Sequence, residues 1–267
     1  MISNPGLESA VLAVGAHALA VYFGLLALLL LAIGALSGWA RRRPSPGGPA
    51  AARPLAGAAF RLAFGFALVV VAAFAFAVIA GEIGAGERLA HLDQVFSDAV
   101  QRSTPEAARK VFGGLTHLGD PLTLTGLCAV GASALLFRGE RLLAFTFVAA
   151  LAGNALLNVT LKSVFERLRP LHDGMTSPFG GFSFPSGHSS GALVAYGMLA
   201  YVLTRTVPRG WQLPWVWLAA AAAFSVGASR IFLQAHFASD VVAGFASGTA
   251  WLAVCIVSFE WAQRSPR

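Results

Sequence analysis

Long apolar stretches, separated by short polar loops, fill most of the chain. Seven are predicted to span a bilayer: about Val11–Trp39, Ala56–Ala80, Pro121–Phe137, Leu142–Leu161, Ser189–Leu203, Leu213–Ala228 and Phe237–Phe259. A hydrocarbon core of roughly 30 Å takes about 20 apolar residues to cross. Lipid offers no partner to an unpaired backbone group, so each span is predicted to be a helix. The region Gly81–Asp120 is too polar to remain in the bilayer. Leu89, Leu92, Val95, Phe96 and Val100 recur in it at roughly helical spacing, which predicts a helix on the membrane surface, read as a structural lid on the bundle in preference to a direct substrate contact. Thr104-Pro105-Glu106 predicts a second short helix, with Thr104 as cap and Pro105 in first position. Arg41–Pro54, rich in Arg, Pro, Gly and Ala, reads as a linker.

The loops set an orientation. Arg41, Arg42, Arg43, Arg53, Arg61, Arg138, Arg141, Arg205, Arg209, Arg264 and Arg267 all fall on one side. The N-terminus, with Glu8 and no Lys or Arg ahead of its first span, falls on the other, as does Gly81–Asp120. The arginine-rich side is expected to be cytoplasmic. Trp39, Trp211, Trp215 and Trp261 lie at that same face, as an interfacial aromatic belt does. The first apolar run has no basic residues before it and is too long for a signal peptide, so it is expected to be retained as a span.

Composition agrees. The 267 residues are 57% hydrophobic and only 12% charged, with a mean hydropathy of +0.69. The net charge of +7 does not point to nucleic acid, because the arginines sit in loops between apolar spans. Cys128 and Cys255 both fall inside apolar segments and read as packing residues.

Three polar islands interrupt this pattern, each next to the end of a span on the side opposite the arginine-rich loops. The first runs from Lys162 to Arg169-Pro170, the second is Pro185-Ser186-Gly187-His188, and the third is Ser229-Arg230 followed by His236 and Asp240. Each alone has a plain structural reading: snorkelling cations at a span end, an ordinary helix cap, and a polar helix end. Each also has a chemical one. His236 and Asp240 are four residues apart, so on a helix they share a face. The carboxylate can then hold one ring nitrogen and leave the other as a lone pair. Proline, serine and glycine before an apolar run mark a helix start, where free N–H groups and the dipole suit an anion. Ser186 can add a hydroxyl, Gly187 lets backbone come close to an oxygen, and His188 can serve as an acid. Lys162 and Arg169 are seven residues apart, two turns if the helix continues, and with Arg230 they can neutralise a phosphate. Arg167 reads as a snorkelling residue without a role. His172 and Asp173 lie in the loop between the first two islands, where they either shape substrate entry or supply ordinary loop polarity. His17 and His91 receive no role, and Glu140 and Glu166 read as solvated charges.

The islands together resemble the signature of the type 2 phosphatidic acid phosphatase superfamily: Lys, six residues, Arg-Pro; Pro-Ser-Gly-His; and Ser-Arg, five residues, His, three residues, Asp. Thr116-His117-Leu118-Gly119-Asp120 also resembles bacterial members, with a weak part for His117. The resemblance runs from about Ala56 to Trp261. It implies an all-α, polytopic membrane helical bundle, a six-helix phosphatase core with one extra N-terminal transmembrane helix. Residues 1–55 would be that helix and its basic cytoplasmic linker, and residues 56–267 the six-span catalytic domain. The resemblance implies His236 as the nucleophile forming a phosphohistidine, Asp240 as the group that orients it, and His188 as the acid for the leaving alkoxide. It implies Lys162, Arg169, Ser186, the Gly187 amide and Arg230 as the phosphate cradle. It implies no cofactor and no metal, and the sequence holds no carboxylate or Cys/His cluster of ligand spacing.

The expected activity is hydrolysis of a membrane lipid phosphomonoester or pyrophosphate at the outer face of the inner cell membrane, with the C-terminus cytoplasmic. Phosphatidic acid, phosphatidylglycerol phosphate, an isoprenoid pyrophosphate and lipid A are candidate substrates. Two alternatives stay open: a lipid phosphotransferase using the same site, and a lipid transporter or scramblase. Transporters place their charges near the midplane of broken helices, whereas here the charges gather at one face. A soluble haloperoxidase shares the signature, but seven apolar spans argue against it.

Overall fold

The computed structural model describes residues 5–42, 53–85, 87–170 and 180–263; the side chains of residues 40–61 and 84–87 lie outside the described set. Arg41, Arg42, Arg43, Arg53, Arg61, Arg264 and Arg267, and the loop residues His172 and Asp173, therefore fall outside it too. Among the described residues ten α-helices follow in order: α1 (Pro5–Ala16), α2 (Ala18–Arg42), α3 (Arg53–Ala85), α4 (Glu87–Ser103), α5 (Glu106–Thr116), α6 (Pro121–Phe137), α7 (Arg141–Phe165), α8 (Gly187–Thr206), α9 (Arg209–Phe232) and α10 (Ala238–Ala262). A short 3₁₀ turn, His117–Gly119, links α5 to α6.

Every predicted span is helical, the first of them as two helices. Ala18–Trp39, Leu62–Ile83, Arg141–Phe165, Arg209–Phe232 and Ala238–Ala262 are long and apolar enough to cross a membrane. A sixth crossing arises if α5, its 3₁₀ turn and α6 are taken together, bent by 45° at Asp120. α8 runs for 20 residues, but its first turn is the polar Gly187-His188-Ser189-Ser190. The first predicted span differs from expectation: the helix breaks at His17, α1 packs on α4, and of the two only α2 is long and apolar enough to cross.

α8 lies along α9 and α10, with α7 against α6, α8 and α10. Small residues let these helices approach closely, as packing in lipid requires. A Cβ on Gly248 would lie 3.1 Å from the backbone of Ser190, and one on Gly153 2.2 Å from the Trp251 ring. The main core joins Leu143, Phe147, Val194, Met198, Cys255 and Phe259 from α7, α8 and α10. Cys255 is buried there and Cys128 packs against it, as expected of packing residues. α2 buries Ala18 and Tyr22 against α5 and α9, and α3 packs Phe76, Ile79 and Ala80 against Phe184 and α10, but both helices leave large apolar side chains outward. Phe74 is 71% exposed and Leu31 69%, an apolar surface suited to lipid.

The connecting region holds one addition to expectation and one departure from it. α4 is the helix expected there, with Val100 buried, but it also turns polar residues inward. Its buried face carries Asp93, Ser97, Ala99 and Val100, while Leu89, Leu92, Val95 and Phe96 are only partly covered. The polar residues turn inward to buried partners, Asp93 to Arg167 and Ser239, and Ser97 to the Gln234 side chain. Thr104 does not cap α5. Pro105 holds the cap position, and the Thr104 hydroxyl donates instead to the Val100 carbonyl at 2.6 Å.

Candidate active site

The C-terminal ends of α7 and α9 meet the N-terminal ends of α6, α8 and α10 at one end of the bundle, opposite the loops that carry Arg138, Arg141, Arg205 and Arg209. All three polar islands gather there. Two helix N-termini, those of α8 and α10, present their positive dipole ends to the same space.

His236 sits at its centre, buried at 3% exposure. It does not share a helix face with Asp240. His236 precedes Phe237, the N-cap of α10, and Asp240 is that helix's third residue. The four-residue spacing works because Asp240 folds back over the helix start. Its Oδ2 accepts from the Phe237 amide at 3.0 Å and lies 3.5 Å from His236 Nδ1. Arg169 Nη1 lies 3.2 Å from His236 Nε2. A guanidinium only donates, so Nε2 is the acceptor there and Nδ1 carries the ring hydrogen. Burial pushes the His236 imidazole down to about 4, against the pull of Asp240, so it is neutral at pH 7 with its lone pair toward Arg169.

The first island is not one helical face either. α7 stops at Phe165, and Glu166 takes a left-handed conformation with φ 44°. This turn brings Arg169 back over the site without a second helical turn. Lys162 donates to the Phe182 carbonyl, and Arg169 donates to the Ala235, Gly180 and Gly181 carbonyls. Burial lowers the Arg169 guanidinium from its ordinary value. Arg230, buried near the end of α9, donates to Thr116 Oγ1 at 2.8 Å.

Ser186 is the N-cap of α8, and it is fully buried. Its oxygen accepts from the Ser189 hydroxyl at 2.8 Å and the Ser189 amide at 3.4 Å, which leaves its own hydrogen to offer. The Ser186 amide donates to the Asp240 carbonyl at 3.0 Å, tying the second island to the third. Gly187 packs tightly on α7, where a Cβ would come within 2.8 Å of Asn158 Oδ1.

Arg167 overturns its reading as a roleless snorkelling residue. Nη1 donates to Asp240 Oδ1 at 2.6 Å and to Ser239 Oγ at 2.7 Å, and Nη2 donates to Asp93 Oδ2 at 2.8 Å. Its guanidinium also lies over the Phe237 ring, 4.4 Å from the centroid. The group is nearly buried, as are both carboxylates. Asp93, from α4, accepts from the Ser239 hydroxyl and amide as well. Burial nonetheless raises its carboxyl above the ordinary range. Ser183, another residue without a sequence signal, donates to Asp240 Oδ2 and lies 3.4 Å from His236 Nδ1. No spacing rule finds Asp93, which stands 74 residues from Arg167. The sequence shows only an acid among the leucines of an amphipathic helix, which does not say that it is buried.

The segment Thr116–Asp120 also belongs to this end of the molecule. Thr116 takes Arg230, and the Leu118 carbonyl accepts from Tyr196 at 2.8 Å. Asp120 Oδ1 lies 3.0 Å from His188 Nε2, and its Oδ2 lies 2.7 Å from His117 Nδ1. Gly119 is where the chain slides over α8 and α9: a Cβ would lie 2.4 Å from Val226 and 3.1 Å from the His188 ring. Among the described residues no three His, Cys, Asp or Glu side chains converge as metal ligands.

A neutral imidazole backed by a carboxylate, three cations and two helix N-termini make a combination suited to phosphoryl chemistry, here on a multi-pass membrane bundle. The chain belongs to the PAP2 superfamily, whose family model matches residues 143–264. It is 30% identical over 164 residues to phosphatidylglycerophosphatase B of Bacillus subtilis, covering 58% of this chain and 77% of that protein. It is 31% identical over 194 residues to lipid A 1-phosphatase of Rhizobium johnstonii, covering 61% of this chain and 75% of that one. The crystal structure of the transmembrane PAP2 type phosphatidylglycerolphosphate phosphatase from Bacillus subtilis matches with a TM-score of 0.67 and 28% identity, over 74% of this chain and 98% of that one. The protein is thus a membrane phosphatase of this superfamily.

Proposed function

We propose that this protein hydrolyses a lipid phosphomonoester or pyrophosphate through a phosphohistidine at His236, without a divalent metal, at the extracytoplasmic face. The observation that carries this reading is the His236 ring itself. Its Nδ1 is turned to Asp240, and its Nε2 meets the cation that would hold the phosphate. In the first step Nε2 attacks phosphorus and the P–O bond to the lipid breaks, with His188 giving its proton to the leaving oxygen. In the second step water attacks the phosphohistidine and releases phosphate. Lys162, Arg169 and Arg230 neutralise the equatorial oxygens, while Ser186 and the Gly187 amide at the head of α8 donate to them. The positive charge a metal would supply is already present in these groups.

The relatives act on phosphatidylglycerophosphate and lipid A by their names, which favours a phosphorylated membrane lipid here too. The arginine asymmetry of the loops supports the extracytoplasmic placement. The resemblance to the superfamily's membrane branch, with its six-helix core, is what favours the division at residues 55 and 56, with the first span as an addition. The test is phosphate release from a panel of lipid phosphates in detergent with EDTA present. His236→Ala is expected to abolish it, and acid-labile phosphate trapped on the parent protein is expected to be absent from that variant. Full activity in His236→Ala would defeat the mechanism. A newly phosphorylated lipid instead of free phosphate would favour the phosphotransferase alternative.

A further inference from the structure

We propose that Asp120 is the positioning residue of His188, giving the site a second imidazole–carboxylate pair that works on the leaving group. The inference rests on the phosphohistidine reading, in which His188 is the acid. His188 lies at the head of α8, a poor place for an imidazolium. Arg230 of α9 and Arg169 of the chain after α7 both repel a second positive charge there. The neighbouring part of α7 offers the neutral Asn158. Asp240 of α10 is already held by Arg167, Ser183 and the Phe237 amide. Asp120, at the head of α6, is the carboxylate that bonds His188, at 3.0 Å from Nε2.

Its geometry is fixed from both sides. His117 Nδ1 holds the other carboxylate oxygen at 2.7 Å, and Pro121 begins α6 directly after it. Gly119 removes the side chain that would otherwise keep this turn off the His188 ring. With Nε2 engaged by Asp120, Nδ1 is the nitrogen left for the substrate. As the P–O bond breaks and the bond to His236 Nε2 forms, the Nδ1 proton passes to the departing alkoxide. When water then attacks phosphorus and the P–N bond breaks, the neutral Nδ1 takes a proton from that water. The imidazolium is restored and the cycle closes without an outside proton donor. Asp120 stabilises the charged form at the start of each turnover, when the acid must be loaded.

The test uses full-length protein in detergent, a lipid phosphate and a series of aryl phosphates ending in p-nitrophenyl phosphate. An alkoxide needs a proton to leave, and p-nitrophenolate does not. Asp120→Asn is expected to lower kcat on the lipid phosphate about 100-fold, the low end of what a general acid supplies, but to lower it far less on p-nitrophenyl phosphate. Its rate is also expected to depend more steeply on leaving-group basicity, and the alkaline limb of its pH profile to move to lower pH. Asn is nearly isosteric at a carboxylate 35% exposed; should it disturb folding, Asp120→Ser carries the same comparison. Equal losses on all substrates with an unmoved alkaline limb would overturn the role. His236→Ala runs alongside. If that variant keeps its activity, the phosphohistidine reading fails. If it loses all substrates while Asp120→Asn slows them equally, only the Asp120 role fails.

Discussion

Replacing Arg167 by Met tests whether the buried network behind the candidate nucleophile is as consequential as its geometry. The guanidinium joins two carboxylates, Asp240 at 2.6 Å and Asp93 at 2.8 Å, with all three groups nearly or fully buried. Removing one partner from a buried pair costs about 3–5 kcal/mol, because a charge is left without compensation. Two features favour the lower end. Asp240 keeps the Ser183 hydroxyl and the Phe237 amide, and Asp93 keeps Ser239. Asp93, whose carboxyl burial already raises, can also take up a proton. About 3 kcal/mol corresponds to a fall of roughly 6–12 °C in melting temperature for a chain of this size. The assay is fluorescence-detected thermal unfolding in detergent, paired with phosphate release. The catalytic rate is expected to fall more than KM changes, since Arg167 reaches His236 only through Asp240. Asp93→Asn in the same background is expected to recover part of the melting temperature, by removing one buried charge, but not the rate. A variant that melts within about 2 °C of the parent and turns over as fast would refute the reasoning.

Other expectations follow from single observations. A Cβ at Gly244 would lie 2.6 Å from the Ser186 carbonyl, so Gly244→Ala is expected to force α8 and α10 apart, costing about 1–3 kcal/mol and much of the activity. Gly187→Ala meets only the Asn158 side chain, which can turn aside, so its melting temperature is expected to fall less. His236 titrates near 4 in the fold and at its ordinary 6.5 when unfolded, so the unfolded chain binds more protons between those values. The stability from the neutral ring is present above pH 6.5 and is lost as pH falls toward 4, by roughly 3 kcal/mol. His236→Gln is expected to flatten that part of the stability–pH curve; an unchanged curve would count against the assignment.

The three islands were legible because their chemistry is concentrated and their helices are told by hydropathy alone. The residues that hold them were not. Arg167 resembles any cation at a span end, and only the left-handed turn at Glu166 shows that it points inward to Asp240. Asp93 and Ser97 sit among leucines on an amphipathic helix, and which side of that helix is buried depends on what it meets. The His236–Asp240 pairing was anticipated from the right spacing and the wrong geometry, a helix face in place of a helix cap.

The sequence by itself determined the helical membrane bundle, its family signature and the residues suited to holding phosphate. Those rest on local properties: apolar length, residue type and spacing. Tertiary structure alone decided that Asp93 supports Asp240 through Arg167, and that Asp120 stands against His188 from 68 residues away. The physical reason is the cost of burying charge. Each buried ionic group must find a partner, and the partner that packing brings within 3 Å need not be near it in the chain.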